Sequence, residues 1–426
     1  MRWEQADLAA RLCRALDIAE RTLAHFAASG YTDLEVQSNS FGPEKPIAET
    51  AMLLYAASAV RRHVPSVGKR IDDLARLLVP HARSERVLLE IALRPSLSFV
   101  FAVPHVLLTK LGHPDPAFED CLRLCATSQA RNGHERAPVA SVERRWVTGL
   151  WTGRKSDSSW RLDLANSVLN WPLDLLGGLR EDAYALTHLF MYCTDFGFQK
   201  SRLPRQRSVI LGEVGSLLAK YLDAGDYDLA GEILMAWPLT GAPWSSAATF
   251  GFRVLADAED RTGVLPCGNT KTDRLNQLHG EQKVQYAFGT AYHTAYVMGF
   301  LCAAALRPER APPRKIGGRI VEKSCLERIL SFVDQKNANW APEFSTLEDE
   351  ERLALAPFLL DIAIVQNCRK HNYNAVAKLL ALACHHSMAN SPLCGQAAEL
   401  LERLAACSKT INPGRNEPLA TTPASL

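Results

Sequence analysis

The chain has 426 residues, 47% apolar and 22% charged, with 48 basic and 46 acidic side chains for a net charge of +2. Lys and Arg are scattered, so no electrostatic footprint points to a nucleic-acid partner. The most apolar run, residues 296–306, is too short to span a bilayer.

This length could hold two domains, or one helical array whose units contact mainly their neighbours. We read a single array over 1–407, with a candidate internal boundary at the Pro/Arg-rich stretch 307–314. The tail 408–426 is rich in Pro, Thr, Asn and Ser, which predicts disorder. The first residues lack a charged region followed by an apolar core, and the eleven cysteines include no CxxC pair. Reduced thiols and a cytoplasmic location are expected. The Ala-, Leu- and Arg-rich composition is of a bacterial kind.

Nearly every segment has helical periodicity, and no run alternates as a strand would. Residues 7–28 predict a first amphipathic helix, with Leu8, Leu12, Leu16, Leu23 and Phe26 as apolar positions and Gly30 as its stop. Pro46 opens a helix over 47–62, and further helices fit 67–82, 85–93, 97–111 and 116–126, with Pro104 expected to kink the fourth of these. After a polar loop, helices resume at 139–151, 162–169, 180–196, 209–222, 226–236 and 247–260. A turn at 263–268 and a polar loop lead into a long apolar helix with Tyr292-His293-Thr294 at its start. The last helices are expected over 320–334, 346–365, 373–387 and 396–407. Pairs recur every ~30–50 residues, the repeat range of helical-pair arrays. The predicted fold is all-α, an array of helical hairpins closed into an α/α toroid, with an open solenoid as the alternative.

Two stretches concentrate reactive side chains. On the helix 180–196, at 100° per residue, His188 and Asp195 fall within about 20° of each other, flanked by Tyr184 and Tyr192. His can act as base or ligand and Asp as acid or base, so this stripe is a candidate catalytic wall. The second is the helix with His293, where Tyr286, Tyr292 and Tyr296 would form an aromatic wall suited to a mostly apolar ligand. In the loop before it, Cys267 is a candidate nucleophile or ligand contact. Asp163, Asn166 and Asn170 share a helical face, and Asn166 is a candidate substrate contact. Dinucleotide-binding, Walker A, HExxH, GxSxG and EF-hand motifs are absent from the sequence.

The unit 263–306, with its turn Thr262-Gly263-Val264-Leu265-Pro266 and its helix Tyr292-His293-Thr294-Ala295-Tyr296-Val297-Met298-Gly299, resembles one repeat of the α/α toroids. These include terpenoid cyclases, protein prenyltransferase β subunits and related glycan-processing barrels. The resemblance implies a central cavity with His293 on its wall. In the prenyltransferases that His binds zinc beside an Asp-x-Cys pair, whereas Cys193-Thr194-Asp195 here has the reverse order, so no metal is assigned and zinc stays a bare alternative. Asp257-Ala258-Glu259-Asp260 has the outline of the cyclases' acidic motif, but its place at a helix end predicts a solvated terminus.

The expected function is an enzyme of bacterial specialised metabolism. It would be a cyclase or transferase acting on a hydrophobic or peptide-like small molecule through His293, His188 and Asp195. A non-catalytic scaffold for a peptide or protein and a glycan-processing barrel are the alternatives. The barrel needs a second inward-facing carboxylate besides Asp195.

Overall fold

The computed structural model describes residues 3–33, 40–153, 160–200, 203–336 and 338–411. Among these the regular structure is helical, with one isolated bridge between Tyr31 and Phe41. The first helices are α1 Gln5–Phe26, α2 Glu44–Ser58, α3 Pro65–Ala82, α4 Glu85–Leu93, α5 Ser98–Lys110, α6 Pro116–Ala126, α7 Pro138–Thr152 and α8 Trp160–Ala165. Then follow α9 Arg180–Cys193, α10 Arg207–Asp223, α11 Tyr227–Leu234, α12 Ala236–Thr240, α13 Ser246–Thr262, α14 Thr272–Gln277 and α15 Gly280–Ala305. The chain continues with α16 Lys323–Leu330, α17 Ala341–Thr346, α18 Asp349–Ala354, α19 Ala356–Arg369, α20 Tyr373–His385 and α21 Pro392–Ile411.

Local chemistry accounts for many of these limits. Asp226 and Ser245 accept the amide hydrogens of Leu229 and Ala248 and so cap α11 and α13. Gly263, at φ +81, closes α13 in the left-handed conformation. Three expectations change. The long helix begins at Gly280, so Tyr292-His293-Thr294 lies in its middle, because Glu281 to Val284 suit a helix as well as the apolar part does. The single helix expected over 346–365 is two, α18 and α19, with Pro357 at the start of the second. The tail is helical as far as Ile411, and residues 412–426 lie outside the described ones.

Six helices pack in succession and return to the first: α2 on α5, α5 on α7, α7 on α9, α9 on α11, α11 on α15 and α15 on α2. Others back them, with α1 along α15, α3 on α2, α4 on α5, α8 on α7, and α10 and α13 on α11. The helix α15 is buried on nearly every side from Tyr292 to Ala305, which is why its sequence is apolar all round. The C-terminal helices gather on α10, where α19 and α21 pack. Residues 307–314 are tied into the body: Arg310 donates to the Leu239 carbonyl, and Trp244 Nε1 donates to the Arg310 carbonyl. The helix end at 257–260 is not simply solvated. Glu259 is buried and, with Asp260, pairs with the buried Arg11 of α1. Among the described residues no single helix is long and apolar enough to cross a membrane.

Candidate functional site

Side chains from four of the six successive helices converge on a polar centre. From α15 comes His293, one-fifth exposed. Its Nδ1 lies 3.3 Å from Glu49 Oε1 of α2. Its Nε2 lies 3.6 Å from Asp228 Oδ1 and 3.5 Å from Glu232 Oε1, both of α11. Tyr184 of α9 completes the shell, its hydroxyl 2.8 Å from His293 Nε2.

Burial alone would lower the His293 pKa, but Asp228, Glu49 and Glu232 outweigh it and hold the ring well above its ordinary value. Its surroundings therefore favour the imidazolium form, in which Nε2–H donates to the Tyr184 hydroxyl and Nδ1 faces Glu49. Burial raises Glu232 and Glu49, yet the facing histidines reverse this and both sit below the usual carboxylate range. Asp228 goes the other way: burial and the nearby Glu232 and Asp226 raise it, despite His293 and Arg180. The cluster thus divides into two ionised carboxylates, one carboxyl inclined to keep its proton, and one cation between them.

Glu232 links this centre to a cleft. Its Oε2 accepts a 2.5 Å hydrogen bond from Thr187 Oγ1 and lies 3.8 Å from His188 Nδ1. His188 also places Nδ1 2.9 Å from the Tyr184 carbonyl. A carbonyl only accepts, so Nδ1 carries the hydrogen of this bond. Among the described residues Nε2 has no hydrogen-bond partner, and His188 lines a 360 Å³ cleft between α7 and α9 together with Glu143, Tyr184, Tyr192 and Arg180. Glu143 accepts a 3.0 Å hydrogen bond from the Tyr192 hydroxyl. Burial raises its pKa more than Tyr192 and His188 lower it. Arg180 stands over the Tyr184 ring and is fixed by Asp226 at 2.8 Å. A carboxyl whose pKa is raised by burial thus shares one cleft with an imidazole oriented through its Nδ1–H.

The sequence-derived candidates separate into groups. His188, Tyr184 and Tyr192 line the cleft, and His293 bonds to Tyr184 from behind. Asp195 does not join them. The helix ends at Cys193, and Asp195 follows in a left-handed turn at φ 50, so a helical projection through it fails. There Asp195 accepts from Trp146 Nε1 at 2.7 Å and from the Tyr55 hydroxyl at 3.0 Å, with little exposure. Tyr296 points to α2, 2.8 Å from Thr50 Oγ1. The Tyr286 hydroxyl accepts the Lys271 amide, which pins the loop. Tyr292 is buried, in contact with the Phe41 ring. Cys267 is half-buried in the loop, and Asn166 is exposed after α8. Glu49, Glu143, Asp228 and Glu232 were not singled out from the sequence. Only the last two left a signal, as acids four apart on an apolar helix.

The zinc set of the prenyltransferases does not fit these residues. His293 is hydrogen-bonded to Tyr184 and ringed by Glu49, Asp228 and Glu232, which favour its protonated form, and that form has no lone pair to give. Asp195 is engaged with Trp146 and Tyr55, and burial pushes the Cys193 thiol up to about 12. Among the described residues no group of three or more His, Cys, Asp or Glu side chains is arranged to hold a metal ion.

A family model described as a domain of unknown function, DUF6895, matches residues 12–303. The chain belongs to the DUF6895 family. The DUF6895 match runs from within α1 almost to the end of α15, and so contains Glu49, Glu143, His188, Asp228, Glu232 and His293. Helices α16 to α21 lie beyond it. No curated protein and no solved structure matches the chain.

Proposed function

We propose that α2, α5, α7, α9, α11 and α15 form the inner wall of a closed α/α ring, and that this ring is an enzyme performing acid–base chemistry on a mostly apolar small molecule. The cyclic order of helix contacts supports the closure. The observation that carries the chemistry is the pairing of Glu143 and His188 on one cleft. Glu143 is the general acid, kept protonated by burial. His188 is the general base, its free Nε2 aimed by the Tyr184 carbonyl and Glu232 behind Nδ1. His293 is a positioning residue: it fixes Tyr184 and Glu232, which orient His188, and touches neither reacting group. Tyr184 and Tyr192 supply the aromatic walls. A cyclase or transferase of bacterial specialised metabolism is the form that fits an apolar cleft with one acid and one base.

The glycan-processing reading gains from one feature, the second carboxylate Glu181 on the same cleft as Glu143. A scaffold reading gains nothing from a buried acid–histidine centre, since burying such groups is costly unless they serve a purpose.

Incubation with a bacterial metabolite extract, followed by mass spectrometry, tests the proposal without a known substrate. Wild-type protein is expected to deplete at least one apolar metabolite. Glu143→Gln and His188→Gln should each slow that depletion by about 10²–10⁴-fold, the range for loss of a general acid or base. Depletion that falls as pH rises would match loss of the Glu143 proton. Conversion at undiminished rate by both variants would sink the reading.

A further inference from the structure

The cleft does not end at Glu143. Ala140 and Glu143 line the 360 Å³ cleft and also a second of 280 Å³, bounded by the 96–103 and 134–137 segments and α7. Its walls are apolar at Leu97, Phe99, Val100, Val103 and Val147. The same cleft is also lined by His134, Glu135, Arg136 and Arg144.

The two arginines are held by neutral groups. Arg144 Nη2 donates to the Arg131 carbonyl at 3.0 Å and to Asn132 Oδ1 at 3.2 Å. Arg136 Nη1 donates to the His134 carbonyl at 2.8 Å, and its Nη2 donates to the Ser96 carbonyl. Behind them Arg131 donates to the Ala126 carbonyl at 2.9 Å. Among the described residues none of the three has a carboxylate within ion-pair distance, whereas Arg11, Arg61, Arg83, Arg180, Arg205 and Arg253 all do. Glu135 is exposed and makes no ion pair with them. Burial and then the charges of Arg136 and Arg131 depress the Arg144 pKa, the effect expected of cations crowded without a counter-ion. Guanidinium groups oriented by carbonyls keep further N–H groups for a planar or tetrahedral oxyanion.

We propose that Arg136 and Arg144 form an oxyanion subsite that takes the carboxylate or phosphate end of an elongated, otherwise apolar ligand. The ligand's body lies along Leu97, Phe99, Val100 and Val103. Its far end reaches Glu143, where the two clefts meet. Placing the reacting end there rests on the acid–base reading above, whereas the anion subsite stands on the arginines and the cavity alone.

Calorimetric titration of the full chain with decanoate, decyl phosphate and decanol tests this. Both anions are expected to bind at least tenfold more tightly than decanol, and raising the salt should shrink that preference. The ratio between the two anions assigns the head group to carboxylate or phosphate. Arg136→Gln with Arg144→Gln should bring the preference to within twofold, leaving decanol binding unchanged. Because Arg144 also braces the 131–132 turn, Arg136→Gln alone should lower the preference several-fold, and Arg136→Lys should retain most of it. Equal affinities for anions and alcohol, no binding of the anions, or a preference that survives the double substitution in folded protein would overturn the subsite. Glu143→Gln and His188→Gln should leave the preference intact, so failure of the acid–base reading is seen in turnover and failure of the subsite in calorimetry.

Discussion

At the scale of single residues, the charge on His293 sets the energetics of the interior. Its folded pKa is raised, because Asp228, Glu49 and Glu232 outweigh the burial that opposes its charge. The folded state therefore holds this proton more tightly than the unfolded chain does. The resulting stability is fully present below the unfolded value, about 6.5. It is lost as pH rises through the raised folded value. His293→Gln would leave Glu49 and Glu232 ionised and facing each other without their cation. Removing one partner from a buried charge cluster costs about 3–5 kcal/mol, and the one-fifth exposure of His293 places the expected loss at the low end. Denaturant unfolding from pH 6 to pH 10 should show the wild-type advantage shrinking as pH rises. A gap that stays constant or widens would show that the ring is not the cation inferred from its surroundings.

At the scale of elements, the fit of α15 against α1 and α2 depends on a missing side chain. A Cβ added at Gly299 would lie 2.6 Å from Ala15 Cβ and 2.9 Å from Leu53 Cδ1. Replacing a mid-helix Gly by Ala gains about 1 kcal/mol of helix propensity. Overpacking a close-packed core costs about 1–3 kcal/mol. The contacts here are rigid, a backbone-proximal methyl and a fully buried leucine, so the second effect should win. Gly299→Ala is expected to destabilise by about 1 kcal/mol, and Gly299→Val by more, measured as a fall in unfolding temperature. An increase for the alanine variant would mean that α1 and α15 can separate without cost.

Element existence was readable in the sequence because the helices carry clear 3.6-residue periodicity, as α1 does with Leu8, Leu12, Leu16 and Leu23. On α9 the same period correctly gathers Tyr184, His188 and Tyr192 on the cleft. It misplaces Asp195, because no proline or glycine marks the end of the helix at Cys193, and Gly197 comes later. The remaining acids could not be grouped from sequence. Glu49 reaches His293 only through the packing of α2 on α15, and Glu143 reaches His188 only through the packing of α7 on α9.

At the scale of the whole molecule, closure and openness predict different responses to losing an end. In an open solenoid each helical pair contacts only its neighbours, so deleting a terminal unit leaves the remainder folded. Here the first helix does not pack as a terminal cap. It lies along α15, near the end of the family-matched region, and also touches α2 and α3. Its Arg11 pairs with Glu259 and Asp260 at the end of α13, joining residues 248 and 249 positions apart in the chain. A chain lacking residues 1–28 would expose the α15 face lined by Gly299 and leave Glu259 buried without its cation. Loss of that charge partner alone costs several kcal/mol. Exposure of the α15 face adds about 25 cal/mol for each Å² of apolar surface uncovered. Together these approach the 5–15 kcal/mol that keeps a whole domain folded. The truncated chain is therefore expected to lose cooperative thermal unfolding. Amide exchange in α2, α11 and α15 should rise together, since a closed ring opens as one unit. A truncated chain that keeps a sharp transition, lowered by only a few degrees with α11 still protected, would identify an open array and remove the structural basis for an enclosed site.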